Sequence, residues 1–412
     1  MTHSAMSLLI AIISGSIVFS ADASDALEKS KKIAPIQGSL LIIGGALRTD
    51  NDLVWKRLVL QAGGKGAKIA VIPAASGKPD AAGKAIVDTL NRYGANAFVI
   101  PLSITDKTNN YQNIVNNPQW IARLRQAGGI YFTGGDQEKI TQALLSADGK
   151  KTPMLEAIWD MYRHGAIIAG SSAGAAIMST SMSYVEPLRA MKLRLVNGKD
   201  IVAGLGFIGQ DVFVDQHFII RGRFARMIPI MLKANYTLGL GIDENTAMLI
   251  TNQTEVEIIG YKGAILIDLT NAIPGASDAD FSVSNVKLSY LDQGDKFNLS
   301  TKVLTVPHDK IAGKLNVNLP YHNEHLFYPD ILANTALADL MFRLIDNKQT
   351  GAIGIAFSDS EDIQPDLGFE FKFTKTPESV GYFSSASGAA SYSIRDLRLD
   401  IRPVKISLPL YR

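Results

Sequence analysis

Between residues 38 and 170, short apolar runs alternate with amphipathic stretches, and three of the runs end in glycine. The runs are 39–43, 68–72, 97–100, 129–132 and 167–169. The segments between them, 52–62, 80–93, 120–126, 137–145 and 154–163, carry apolar residues at helical spacing. Continuous apolar strands separated by helices imply a parallel sheet covered on both faces. The sequence therefore predicts an α/β fold, a parallel sheet sandwiched by helices. Ligands of such sheets bind beyond the carboxyl ends of the strands. Right-handed crossovers put those ends on one edge. The ends Gly44-Gly45, Gly134-Gly135 and Gly170 to Gly174 are expected to converge there.

The pattern continues with strands at 212–214, 238–243, 248–250, 256–259 and 264–269 and a helix at 223–232. Near Pro274-Gly275 the texture changes. Runs such as 369–373 and 397–402 alternate strictly between apolar and polar residues, as half-buried antiparallel strands do. One helix is expected there, at 331–344. The organisation expected is a signal peptide (1–23), a linker (24–37), an α/β catalytic domain (38–274) and a β-rich C-terminal region (275–412). The signal rests on the apolar stretch 7–19 and on Ala21-Asp22-Ala23, small residues suited to cleavage before Ser24. The stretch before it lacks Lys and Arg, and a membrane-anchored N-terminus is the alternative. A cleaved signal makes the protein secreted or periplasmic, with no membrane attachment afterwards.

A chain of 412 residues can build two domains and a sizeable core. Its net charge of +2 lacks the basic excess of a general nucleic-acid binder, so no nucleic-acid partner is expected. It has no cysteine, which excludes thiol catalysis, zinc–thiolate sites and disulfides.

Gly170-Ser171-Ser172-Ala173-Gly174-Ala175 lies between two apolar runs, an arrangement that reads as strand, tight turn and helix. A serine on such a turn projects from the backbone beside the free N–H groups of a helix start. Those groups can hold a developing oxyanion. The plainer reading is a serine that caps a helix. A nucleophilic serine needs a base, and the chain has six histidines. His3 falls in the expected signal, His164 at a helix end, and His308, His322 and His325 in the C-terminal region. His217, just past a strand, is the candidate. Asp215, Asp243 and Glu244 are candidates for the carboxylate that orients it, and Glu244 is favoured because it follows a glycine-rich strand end. Asp215 is expected to face the same side as His217. The order Ser, His, Glu differs from that of the α/β-hydrolases. Arg221, Arg223 and Arg226 gather where a helix dipole disfavours cations, which suits a carboxylate-bearing substrate. His322-Asn323-Glu324-His325 matches no standard zinc spacing, and no metal is expected.

Four segments in order, Phe132-Thr133-Gly134-Gly135-Asp136-Gln137, residues 170–175, Asp215-Gln216-His217 with the three arginines, and Gly241-Ile242-Asp243-Glu244-Asn245-Thr246-Ala247, resemble the cyanophycinase and peptidase E family of serine peptidases. The resemblance spans about residues 38–269. It implies a class I glutamine amidotransferase-like sandwich with serine in place of cysteine, no cofactor, and a homodimer. It implies hydrolysis of cyanophycin, a poly-aspartate with arginine on each β-carboxyl, to β-aspartyl-arginine dipeptides. Ser172 would be the nucleophile, His217 the base and Glu244 its orienter. The N–H groups of Gly135 and Ala173 would form the oxyanion hole. Asp136, Gln137, Asp215, Gln216, Arg221, Arg223 and Arg226 would bind substrate. The turn reads Gly-Ser-Ser where the family usually has Gly-Thr-Ser. The first strand end reads Gly44-Gly45-Ala46-Leu47-Arg48 where a third glycine and an acidic residue are usual. The C-terminal region and the signal resemble the extracellular members. Rival readings are a dipeptidase or isoaspartyl peptidase on small acidic, β-Asp-linked peptides, and a non-catalytic polymer-binding protein.

Overall fold

The structure, a computed structural model, describes residues 36–106, 110–276, 279–358, 363–386, 388–405 and 407. The expected signal peptide and nearly all of the expected linker lie outside the described residues.

Five strands, β1 (Ser39–Ile43), β2 (Lys68–Ile72), β3 (Asn96–Val99), β4 (Gly129–Phe132) and β5 (Ile167–Ser171), lie parallel in the order β3-β2-β4-β5-β1. The helices between them start where local chemistry supplies caps. Asn51 accepts from the Val54 N–H at the helix Asp52–Gln61, and Thr152 caps Pro153–Arg163, which has proline in its first turn. A short ribbon, β6 (Ser181–Met182) and β7 (Val202–Ala203), follows. Next come β8 (Val212–Gln216), the helix Phe224–Ala234 and β9 (Leu238–Ile242). The hairpin β10 (Thr246–Thr251) and β11 (Glu255–Gly260) returns to the first sheet, where β10 pairs antiparallel with β1.

The remaining strands are β12 (Ala264–Asp268), β13 (Ile273–Pro274), β14 (Val283–Leu291), β15 (Lys296–Asn298), β16 (Leu304–Thr305), β17 (Leu326–Tyr328), β18 (Gly351–Ala356), β19 (Leu367–Thr374), β20 (Val380–Ser384) and β21 (Ser391–Lys405). β15 and β16 extend the first sheet antiparallel beyond β11. The others join β8 and β9 in a second sheet of order β17-β18-β19-β21-β14-β12-β9-β8, with β13 beside β14 and β20 beside β21.

The fold is thus mixed α/β, and its sheets combine parallel and antiparallel pairs. This modifies the expectation of a parallel sheet covered by helices. The five parallel strands are present, but the first sheet continues antiparallel on the β1 side. A second sheet, in place of helices alone, covers one of its faces. Alternation along β1 displays the layering. Leu40 and Ile42 enter a core shared with Val214, Leu240 and Ile242 of the second sheet, whereas Leu41 and Ile43 pack with Val54, Trp55 and Leu58 of the helix Asp52–Gln61. The outer face of the second sheet packs on the helix Phe224–Ala234 and on Ala336–Ile345. The latter helix begins five residues later than expected. The Ile331 N–H donates to Ile355 O (3.0 Å), and Thr335 has φ +66°, so the residues before 336 form a turn pinned to β18. Among the described residues, no helix is long and apolar enough to cross a membrane.

Candidate active site

Ser172 follows β5 directly with φ +54° and ψ −111°, a conformation costly for a non-glycine residue. Its N–H donates to Ile43 O at the end of β1 (3.0 Å). The short helix Ala173–Ala176 starts at the next residue. The Oγ lies 2.7 Å from Nε2 of His217.

His217 stands just past β8 with φ +47°, its N–H donating to Gly44 O (2.8 Å). Its ring lies against Gly45, where any Cβ would collide with it, so the close approach requires glycine at 45. Nδ1 is 2.6 Å from Oε1 of Glu244, which follows β9. Of the three candidate carboxylates, Glu244 is therefore the one that meets the histidine. Asp243 accepts from the Ile220 N–H (3.2 Å) and faces Lys262 (3.4 Å). A proton on Nδ1 toward the carboxylate leaves the Nε2 lone pair facing the serine hydroxyl. Burial pushes the His217 pKa below its usual 6.5; the Glu244 hydrogen bond opposes this, and Arg221 and Arg223 push it further down.

The three glycine-bearing strand ends converge. β1 contributes Gly44 and Gly45, bonded to His217 and to the Asn245 N–H (2.9 Å). A Cβ at Gly134 would lie 3.2 Å from the Ser172 Cβ. Among the described residues, the N–H groups of Gly135 and Ala173 donate to no protein acceptor. Sequence reasoning missed Asn51. Fully buried, it donates through Nδ2 to both O and Oδ1 of Asn245 (2.9 Å each) and so ties the turn behind Glu244 to the start of the helix Asp52–Gln61. The two residues are 194 positions apart, and no local signal links them.

The residues expected to bind substrate divide. His217, with φ +47°, turns to Ser172 and Glu244, whereas Asp215 turns to Arg226. It forms a bidentate pair with Arg226 (Nε–Oδ2 2.7 Å, Nη2–Oδ1 2.6 Å). Arg226 also donates to Val185 O (3.0 Å) and is only 2 % exposed. The two charges thus meet each other in this structure. Gln137 is likewise turned inward, donating to Ser183 O (3.1 Å). The buried Gln216 accepts from Arg223 Nη1 through its side chain and through its carbonyl (2.8 Å). Arg223 keeps Nε and Nη2 without a protein acceptor among the described residues. Burial lowers its pKa to about 10, which leaves it charged at neutral pH. Arg221 and Asp136 are exposed, and Asp136 also caps the helix Gln137–Leu144 through the Glu138 N–H (3.0 Å). Far from these residues, Glu324 of the His322-Asn323-Glu324-His325 segment pairs with Arg343 (2.5 Å).

The arrangement can activate a hydroxyl, stabilise an oxyanion and attract a carboxylate. Comparison with known proteins agrees in kind. The description of peptidase family S51 matches residues 40–258. A cyanophycinase of Synechococcus elongatus is 33% identical over 296 residues, covering 68% of this chain and 84% of that protein. One from Geminocystis herdmanii is 32% identical over 294 residues, covering 68% and 97%. Among solved structures, a peptidase from an acI-B1 Actinobacterium aligns at 20% identity with a TM-score of 0.47, over 64% of this chain and 98% of that one.

Proposed function

Because this chain belongs to peptidase family S51, a family of serine peptidases, we propose that it hydrolyses cyanophycin to β-aspartyl-arginine dipeptides through an acyl-enzyme on Ser172. The observation that carries the reading is the Ser172–His217–Glu244 relay, with contacts of 2.7 and 2.6 Å.

In this mechanism His217 takes the Ser172 proton as the oxygen attacks the scissile carbonyl. The N–H groups of Gly135 and Ala173 receive the oxyanion. His217 then protonates the leaving amine, and the acyl group stays on Ser172. A water, deprotonated by the same imidazole, releases it. Glu244 holds the tautomer and stabilises the imidazolium. The sandwich would follow the class I glutamine amidotransferases, with serine doing the work of their cysteine. If residues 1–23 act as a signal, the enzyme meets its polymer outside the cytoplasm.

The cyanophycinases among its relatives support the polymer as substrate. Arg221 and Arg223 beside His217 support a carboxylate-bearing chain. One observation favours the smaller β-aspartyl dipeptides instead. With Arg226 bound to Asp215, and Nη1 of Arg223 also turned to Asp215 (3.4 Å) and Gln216, Arg221 and the remaining face of Arg223 are left for substrate, enough for one carboxylate. Incubating the purified protein with insoluble cyanophycin and, separately, with β-linked dipeptides, and weighing the products by mass spectrometry, decides between them. Polymer left intact while dipeptides are cleaved rejects the cyanophycin reading. No hydrolysis of either rejects both.

A further inference from the structure

The residues after 275 meet the turn that follows His217 at Gly222. Gly222 lies in the turn between His217 and the helix Phe224–Ala234, with φ +56°. A Cβ built on it would stand 2.7 Å from the carbonyl oxygen of Leu332 and 2.8 Å from both its Cα and its Cβ. No side chain fits there, so turn and segment meet closely along their main chains.

Both partners are held. On one side, the Leu332 N–H donates to Asp330 Oδ1 (3.1 Å) and the Ile331 N–H to Ile355 O (3.0 Å). Ile331 is fully buried, and it fills the space over Gly354 of β18 where a Cβ would otherwise sit. On the other side, the Gly222 N–H donates to Ile219 O (3.1 Å) and the Arg223 N–H to Phe218 O (2.9 Å). The Phe224 ring then meets Phe371 of β19 edge-on, with centroids 5.4 Å apart. The exposed Arg221 immediately precedes the contact. Its side chain stays in solvent, so its position near His217 depends on the main-chain path of the turn.

We infer that segment 330–332 is a positioning element of the active site: by seating against Gly222 it fixes the turn that carries Arg221, and so sets how the substrate carboxylate is held. This rests on the proposed reading of Arg221 as a substrate-binding residue. It also gives the C-terminal region a part in catalysis that a separate polymer-binding module would not have. A segment with only a packing role would change stability, or kcat and KM together. A positioning role changes KM, and only while Arg221 is present.

The test is a double-mutant cycle on the full chain. Gly222→Ala drives a methyl into segment 330–332, and Leu332→Gly loosens it from the other side. Each is combined with Arg221→Ala. Each single variant is expected to raise KM about tenfold, with a smaller change in kcat, and to add nothing in the Arg221→Ala background. Amide hydrogen exchange at residues 218–224, measured without substrate, is expected to quicken in Leu332→Gly. KM rises that add to that of Arg221→Ala, or exchange that does not change, overturn the proposal. An unchanged KM in Arg221→Ala removes the substrate role of Arg221 and overturns it as well. Failure of the wild type to cleave any β-aspartyl substrate is a different result. It removes the peptidase reading, and the exchange measurement still decides whether the segment orders the turn.

Discussion

His217 and Glu244, 2.6 Å apart through Nδ1 and Oε1, leave the ends of two adjacent parallel strands of one sheet, whereas Ser172 leaves a strand of the other. Gln216 and Ile242 are register partners in β8 and β9, so the alignment of imidazole and carboxylate is built into a single ladder. The serine meets them only across a seam. That seam is closed at the end of β1, where Ile43, Gly44 and Gly45 bond to Ser172, His217 and Asn245. The relay is therefore as exact as the fit between the two sheets at one glycine turn.

Ser172→Ala removes the nucleophile and leaves the imidazole and its carboxylate in place. We expect kcat to fall at least about 10⁴-fold, the loss typical of removing a catalytic serine. Circular dichroism should remain that of the wild type. Steady-state assays on cyanophycin check the loss, and retained turnover would reject the acyl-enzyme.

Glu244→Gln keeps the shape of the side chain but presents an amide to Nδ1. An amide donor there favours the tautomer whose Nε2 is protonated and cannot accept from Ser172. A loss of about 10³- to 10⁴-fold in kcat is expected, with KM nearly unchanged. A loss below tenfold would show that another group orients the imidazole.

The pH profile follows from the burial of His217. The base works when neutral, and its folded pKa lies below 6.5, so the acid limb of kcat/KM is expected below pH 6.5. Removing the nearby cation in Arg221→Ala eases protonation and moves that limb to higher pH. Salt should shrink the difference, because Arg221 is exposed. Stability carries the matching sign. Between the folded pKa and about 6.5 the unfolded chain binds more protons at this site, so the His217 contribution to stability falls as pH drops through that window. Denaturant titrations at several pH values on wild type and His217→Gln, compared pairwise, measure it.

Asp215→Asn leaves Arg226 buried with its countercharge gone. Breaking a buried ion pair from one side typically destabilises by about 3–5 kcal/mol, and the arrangement here, 2 % exposed at the arginine, places it in that class. The expected result is a clear fall in the thermal midpoint with KM little affected, read by scanning calorimetry and steady-state kinetics. A large rise in KM without loss of stability would return Asp215 to the substrate.

Much of the site was legible because its chemistry sits on glycine-rich strand ends, where few residue types are eligible. Ser172, His217 and Glu244 each stand within three residues of the end of an apolar run, and the structure brings them together. The fate of Asp215 and Arg226 was not legible. They are 11 positions apart across a strand, a turn and a helix, and no local period relates them. Strand partnership was equally hidden. The apolar runs at 212–214 and 238–243 look like those of β1 to β5, yet they leave the first sheet to pair with each other, and the second of them with residues beyond 260. An apolar run specifies burial on both faces but not its neighbour. The late start of the helix Ala336–Ile345 has the same origin, since the Ile355 carbonyl that captures the Ile331 N–H is 24 residues away.

The last described strand, β21, is not at an edge: it lies between β19 and β14, with Ile401 paired to Val283 and Leu397 to Leu288. During synthesis the chain therefore reaches the middle of its second sheet only after every other described strand has been made. Until Leu397, Leu399 and Ile401 arrive, the core they share with Phe218 and Phe224 stays open. Pairings across such separations in sequence are slow to form. The turn behind the base is firmly backed only once β21 has been threaded between β19 and β14.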